Sequence, residues 1–187
     1  MTTNPHYFIA IPLPPEVKDH INDWKKKTMD KLSFKKWVHP QDFHITLFFL
    51  GASNNDELKK LSEKMKRISL SKQSFFMQLT QSGWFGKPAQ PRIFWMGAEG
   101  SSALYHLQTS ISNRCEEIGF SADKRPYKPH ITVARKWVGK ESFQKSIPLS
   151  PIDTVFWTVE KFVIYRTHLD REPKYETVET FPLKADK

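Results

Sequence analysis

An internal echo constrains this chain more than any other feature. Pro40-Gln41-Asp42-Phe43-His44-Ile45-Thr46-Leu47 returns 86 residues later as Pro126-Tyr127-Lys128-Pro129-His130-Ile131-Thr132-Val133. Each copy is a proline turn followed by a short apolar and β-branched run, the pattern of a buried strand. Successive side chains of a strand point to opposite faces. His44 and Thr46 therefore share one face, with Ile45 and Leu47 on the other, and His130 and Thr132 stand in the same way against Ile131 and Val133. Two copies point to two related halves. If those halves face each other, two histidines and two threonines converge on one cleft over a packed apolar support.

The rest of the chain supplies the scaffold. Strands are expected over residues 7–11, 43–50, 75–79, 92–97, 127–133, 155–165 and 175–183. Helices are expected from the Pro14-Pro15 pair to about residue 32, over 55–68 and over 103–118. In the second helix Leu58, Leu61, Met65 and Ile68 recur at intervals of three or four. Residues 83–91, with Gly86, Pro88 and Pro91, read as a loop. Strands and helices mix without a long linker, so the expectation is a single α+β domain over residues 1–187, built from two lobes.

Composition excludes several classes. Apolar residues make up 39% and charged residues 26%, as in a folded protein. Lys and Arg number 29 against 20 Asp and Glu, a formal charge of +9, which favours polyanionic partners such as nucleic acid or an anionic membrane. The lysines are scattered, and short runs such as Lys35-Lys36 read as solvated faces. A single cysteine, Cys115, rules out an internal disulfide and reads as a small buried apolar residue. No stretch reaches the ~20 apolar residues of a membrane span, and the short apolar start lacks the basic flank of a signal peptide. A cytoplasmic monomer without membrane contact is expected.

Two imidazoles and two hydroxyls suit displacement at a phosphodiester. The attacking oxygen must lose a proton and the leaving oxygen must gain one. Histidine, with an ordinary pKa of ~6.5, offers both forms near neutrality, and each such transfer contributes ~10²–10⁴-fold. Threonine hydroxyls can donate to the non-bridging oxygens and hold phosphorus in line. The ligand spacing suggests no metal, and the chemistry calls for no cofactor. His6, His20, His39, His106 and His168 have no comparable setting and read as surface or capping residues.

The two blocks resemble the paired His-x-Thr-x signatures of the 2H phosphoesterase superfamily. More closely, the chain is similar to the bacterial RNA 2′,3′-cyclic phosphodiesterases of the LigT or ThpR family, also called 2′-5′ RNA ligases. Tyr7-Phe8-Ile9-Ala10-Ile11-Pro12-Leu13, Pro91-Arg92-Ile93-Phe94-Trp95-Met96-Gly97, and the ending from Tyr165-Arg166 to Phe181-Pro182-Leu183 extend the resemblance over nearly the whole chain. The resemblance implies a bilobal α+β fold, with antiparallel sheets facing a central cleft and helices outside. It implies metal-independent opening of a terminal 2′,3′-cyclic phosphate to a 2′-phosphate, with 2′-5′ ligation as the reverse reaction. His44 would protonate the leaving 3′ oxygen, His130 would act as base on water, Thr46 and Thr132 would hold the phosphate, and Arg135 would bind it.

Two further residues stay open between a substrate role and a structural one. Phe48, two residues beyond Thr46, either stacks on a base or packs between the lobes. Arg92 either contacts substrate or lies on the surface. The activity has alternatives too: a nucleotide- or RNA-binding module using the same cleft without significant turnover, or a phosphodiesterase acting on a small cyclic nucleotide.

Overall fold

A computed structural model describes residues 5–143 and 152–185. Its order is β1 (His6–Pro12), α1 (Pro15–Met29), β2 (Phe34–Trp37), a 3-10 turn (Pro40–Asp42), β3 (His44–Ala52), α2 (Asn55–Ser69), β4 (Phe75–Lys87), β5 (Gln90–Gly100), α3 (Ser102–Glu116), β6 (His130–Trp137), β7 (Phe156–Val159), β8 (Lys161–Thr167) and β9 (Tyr175–Pro182). The strands run in the order β7-β4-β5-β6-β3-β1-β8-β9, with β2 added beside β6. Every pairing between the named strands is antiparallel. The expected mixed α+β fold with two antiparallel halves is what forms. The β3–β6 ladder that joins the halves has one register pair, Ile45 opposite Ile131.

One face of this sheet is sealed by the three helices. Val17, Ile21 and Trp24 of α1, Leu61 and Met65 of α2, and Leu104, Leu107 and Ile111 of α3 bury against Ile9, Ile11, Ile45, Leu47, Ile131 and Val133. Helix α2 begins with a capping box, in which Asn54 Oδ1 accepts from Glu57 N and Glu57 accepts from Asn54 N. That arrangement satisfies two donors that a helix start leaves orphaned. Cys115 is buried on α3, as expected of a small apolar residue. The opposite face carries a small aromatic cluster around Phe8, Ala10, Val163 and Tyr165.

Two expectations need correction. Residues 83–91 are not a free loop: strands β4 and β5 run through them as a long hairpin, turning beyond Gly86, which has φ +103°. Gly83 faces Trp95, and a Cβ there would sit 2.3 Å from the indole ring, so this glycine is a packing requirement rather than a turn signal. The apolar run expected as one strand over 155–165 breaks at Glu160. Its first part, β7, pairs with β4 in one half, and its second, β8, pairs with β1 in the other. The Lys35-Lys36 run is exposed, as expected of a solvated face, and belongs to a strand, β2, that lies along β6.

Candidate active site

The β3–β6 contact brings the two motifs together. Ile45 and Ile131 pair across an antiparallel step. Continuing that register by one residue each way sets His44 across from Thr132 and Thr46 across from His130, all on the face opposite the helices. Directly opposed residues on one face are in side-chain contact range.

Both rings are held in the same way. His44 Nδ1 donates to the Asp42 carbonyl at 2.7 Å, and His130 Nδ1 donates to the Lys128 carbonyl at 2.7 Å, in each case two residues back. A carbonyl can only accept, so the Nδ1 proton is fixed and Nε2 is left as the atom that exchanges protons. His44 Nε2 lies 3.1 Å from Thr46 Oγ1, which donates to it when the ring is neutral. Burial pushes His44 down to about 4; the Asp42 carbonyl works against this, while Arg135, His130 and Lys18 add to it. His130 is also lowered, by burial first and then by Arg135 and Lys128, against the pull of its carbonyl partner. Burial disfavours the charged imidazolium, and neighbouring cations do the same.

The i+5 position explains what lies around the histidines. Between Ile9 and Ala10 the β1–β3 register slips, leaving Leu47 as an extra residue. Between Phe94 and Trp95 the β5–β6 register slips, leaving Val133 extra. Each extra residue is a β-bulge three positions after a histidine, and a bulge reverses which face the following residues occupy. The residue five after each histidine therefore returns to the histidine's face: Phe49 in one half and Arg135 in the other. Arg135 acts on both histidines and faces the Tyr175 hydroxyl. The carbonyls of Thr46 and Leu47, at the bulge, accept from side chains outside β3. Tyr127 Oη donates to Thr46 O at 3.2 Å, and Gln108 Nε2 donates to Leu47 O at 3.4 Å.

Two residues left open between a substrate and a structural role take the structural side, Phe48 through the slip at Leu47 and Arg92 through the alternation of β5. Phe48 is only 5% exposed and packs in the helix-side core, whereas Phe49 is 68% exposed beside Phe8 on the site face. Arg92 sits near the tip of the β4–β5 hairpin, on the same side of β5 as core residues Phe94 and Met96. It therefore points away from the face that carries Trp95 and the histidines.

Other residues of the site were not foreseen. Phe8, Tyr165 and Tyr175 surround the His44 ring, with centroids 4.9, 5.9 and 5.1 Å away. The buried Asp42 carboxylate accepts from the backbone N–H groups of Lys174 (2.9 Å) and Tyr175 (3.1 Å), tying the β8–β9 hairpin beside His44. Phe85 stands edge-on to His130 at 4.8 Å, with Trp95 at 6.2 Å, and Lys128 Nζ lies 4.4 Å above the Trp95 ring. His39 caps the 3-10 turn by accepting from Gln41 N, the capping role expected of it. Among the described residues, no group of three or more His, Cys, Asp or Glu is arranged to hold a metal ion, and no helix is long and apolar enough to cross a membrane.

The sequence pattern of the family described as LigT like Phosphoesterase matches residues 11–95 and 97–175, a span that takes in both motifs. The chain belongs to this family. A relative from Geobacillus stearothermophilus, named RNA 2′,3′-cyclic phosphodiesterase, is 40% identical over 179 residues; the match covers 95% of this chain and 57% of that protein. A Bacillus subtilis protein of the same name is 35% identical over 179 residues, covering 96% of this chain and 97% of its own length. The crystal structure of E. coli LigT complexed with 3′-AMP matches with a TM-score of 0.82 at 24% identity, covering 96% of this chain and 98% of that one. That likeness is one of fold, and it supports the bilobal LigT-like architecture described above.

Proposed function

We propose that this chain hydrolyses terminal 2′,3′-cyclic phosphates of RNA to 2′-phosphomonoesters, with His44 and His130 as the two proton carriers. The observation that carries the reading is the Ile45–Ile131 pairing, which sets two His–Thr pairs on one face with Arg135 beside them. The names of the relatives supply the substrate class.

In the proposed step, a water oxygen attacks phosphorus while His130 Nε2 takes its proton. The bond from phosphorus to O3′ breaks, and His44 Nε2–H protonates O3′, leaving a free 3′ hydroxyl and a 2′-phosphate. Thr46, Thr132 and Arg135 hold the non-bridging oxygens, where charge develops. His44 is neutral in the free protein at pH 7. The bound phosphate supplies the opposite charge that raises its proton affinity and lets it act as the acid. With the 5′ hydroxyl of a second RNA end in place of water and the roles unchanged, the same groups join ends through a 2′-5′ bond, again breaking the bond to O3′. The reading takes residues 1–187 as one bilobal domain that works as a cytoplasmic monomer and uses no metal or other cofactor.

An oligonucleotide ending in a 2′,3′-cyclic phosphate, incubated with excess chelator, should be converted to the 2′-phosphate. His44→Ala and His130→Ala should each lower the rate by at least ~10²-fold. Turnover retained in either single variant would overturn the two-histidine mechanism. Tight RNA binding without product would favour a pure binding module, and a preference for mononucleotides would point to a small cyclic nucleotide as the substrate.

A further inference from the structure

Beside the four motif residues, three basic side chains, Lys36, Arg135 and Lys174, gather next to the cleft. Lys36 of β2 lies directly across from Arg135 of β6, so the two side chains share one face. Lys174 comes from the other half, at the end of the β8–β9 hairpin, and is fixed there by its N–H bond to buried Asp42. Its neighbour Tyr175 stacks edge-on against His44. The two ammonium groups lie close enough that Lys174 holds Lys36 below the ordinary lysine range, with Arg135 adding to the effect and Glu172 opposing it. Neither lysine is in an ion pair with a described residue. Cations held together against their repulsion form a place prepared for an anion. Arg135 stands between this pair and the histidines.

We infer that Lys36 and Lys174 form a second phosphate subsite, which takes a phosphate one nucleoside away from the cyclic phosphate held at the two histidines. The inference rests on the proposed function for its orientation and names the substrate more closely: a cyclic-phosphate end that carries a phosphate on its own 5′ oxygen. That group is either the internucleotide phosphodiester of RNA or the terminal 5′-phosphate of a small nucleotide. Contacts to phosphate carry no base identity, so the subsite gives length or charge selectivity without sequence selectivity.

The test compares dissociation constants of adenosine 2′-monophosphate and adenosine 2′,5′-bisphosphate, which need no turnover. The wild-type chain should bind the bisphosphate about tenfold or more tightly than the monophosphate, and K36A/K174A should bring that ratio close to one. K59A/K60A, an equal charge change on exposed positions of α2, should keep the ratio. The slope of log K against log salt for the bisphosphate should flatten by roughly 0.7 for each lost contact. A wild-type ratio near one, or a ratio unchanged in K36A/K174A while thermal unfolding shows it folded, would overturn the inference. Comparing kcat/KM for a dinucleotide cyclic phosphate with that for a 5′-phosphorylated mononucleotide then tells the two sources of phosphate apart. Hydrolysis with a binding ratio near one would sink the subsite and spare the activity. A ratio that collapses in the variant, without hydrolysis of any cyclic phosphate, would do the reverse.

Discussion

The Tyr127 hydroxyl donates to the Thr46 carbonyl across 3.2 Å, tying the loop that enters one motif strand to the backbone of the other. Thr46 pairs with Ala10 of β1 just before the bulge at Leu47, and Tyr127 comes from the half that carries His130. Tyr127→Phe should leave that carbonyl without its partner and cost about 1–3 kcal/mol of stability. Denaturant unfolding measures this directly. Because the same bond aligns Thr46, turnover should fall as well, and a variant with unchanged stability and rate would show that the bond does nothing.

The pH profile should be displaced to the acid side. His44 is pushed down to about 4 and His130 is lowered, both chiefly by burial. The profile of kcat/KM reports the free protein, so its maximum should lie below the ordinary histidine value of ~6.5. On the alkaline side the acid is short of protons, and on the acid side the base is protonated. In kcat the maximum should move upward, since bound phosphate favours the imidazolium. A kcat/KM maximum above pH ~7 would contradict the burial of these rings.

Phe48 and Phe49 should separate stability from binding. Phe48 is core, and Phe48→Ala should cost about 3–5 kcal/mol. Phe49 is exposed beside the site, and Phe49→Ala should leave the unfolding midpoint nearly unchanged while raising KM for nucleotide substrates, in the ~1–3 kcal/mol range of a lost aromatic stack. The reverse pattern would mean that the bulge is misplaced.

Asp42 acts through what it holds. Asp42→Ala should leave the N–H groups of Lys174 and Tyr175 without their acceptor, destabilise the fold by a few kcal/mol and loosen Tyr175 from His44. Asp42→Asn keeps one acceptor oxygen and should restore part of both stability and kcat. A kcat that does not follow the hairpin's amide exchange across the two variants would count against this positioning role.

These details show what could be read in the chain and what could not. The His–Thr pairs were legible because strand alternation is local: two residues apart means the same face. Arg135 is an odd number of residues beyond His130, so alternation alone would have turned it away, and only the resemblance pointed to it. Phe48 could not be decided for the same reason, since the bulge at Leu47 hands the place on the site face to Phe49. Bulges depend on how a neighbouring strand pairs, which no local pattern carries. Tyr175, Asp42 and Lys36 acquire their roles only when the β8–β9 hairpin and β2 close around the cleft, between positions more than a hundred residues apart in two of the contacts. The break at Glu160 was hidden because both flanking segments are apolar and extended, and only the sheet order tells that they part company.

The half-turn that relates the two motif strands has a consequence for regiochemistry. A cyclic phosphate lying on that axis offers its O2′ and O3′ to near-equivalent imidazoles, so the four motif residues cannot by themselves decide which ester bond opens. The residues brought back by the two bulges differ, an aromatic ring at Phe49 and a guanidinium at Arg135, and so do the rings around each histidine. Exchanging these two side chains should shift the products from 2′- toward 3′-phosphate, readable by phosphorus NMR. The choice of hydroxyl released would then belong to a pair of residues that move no proton.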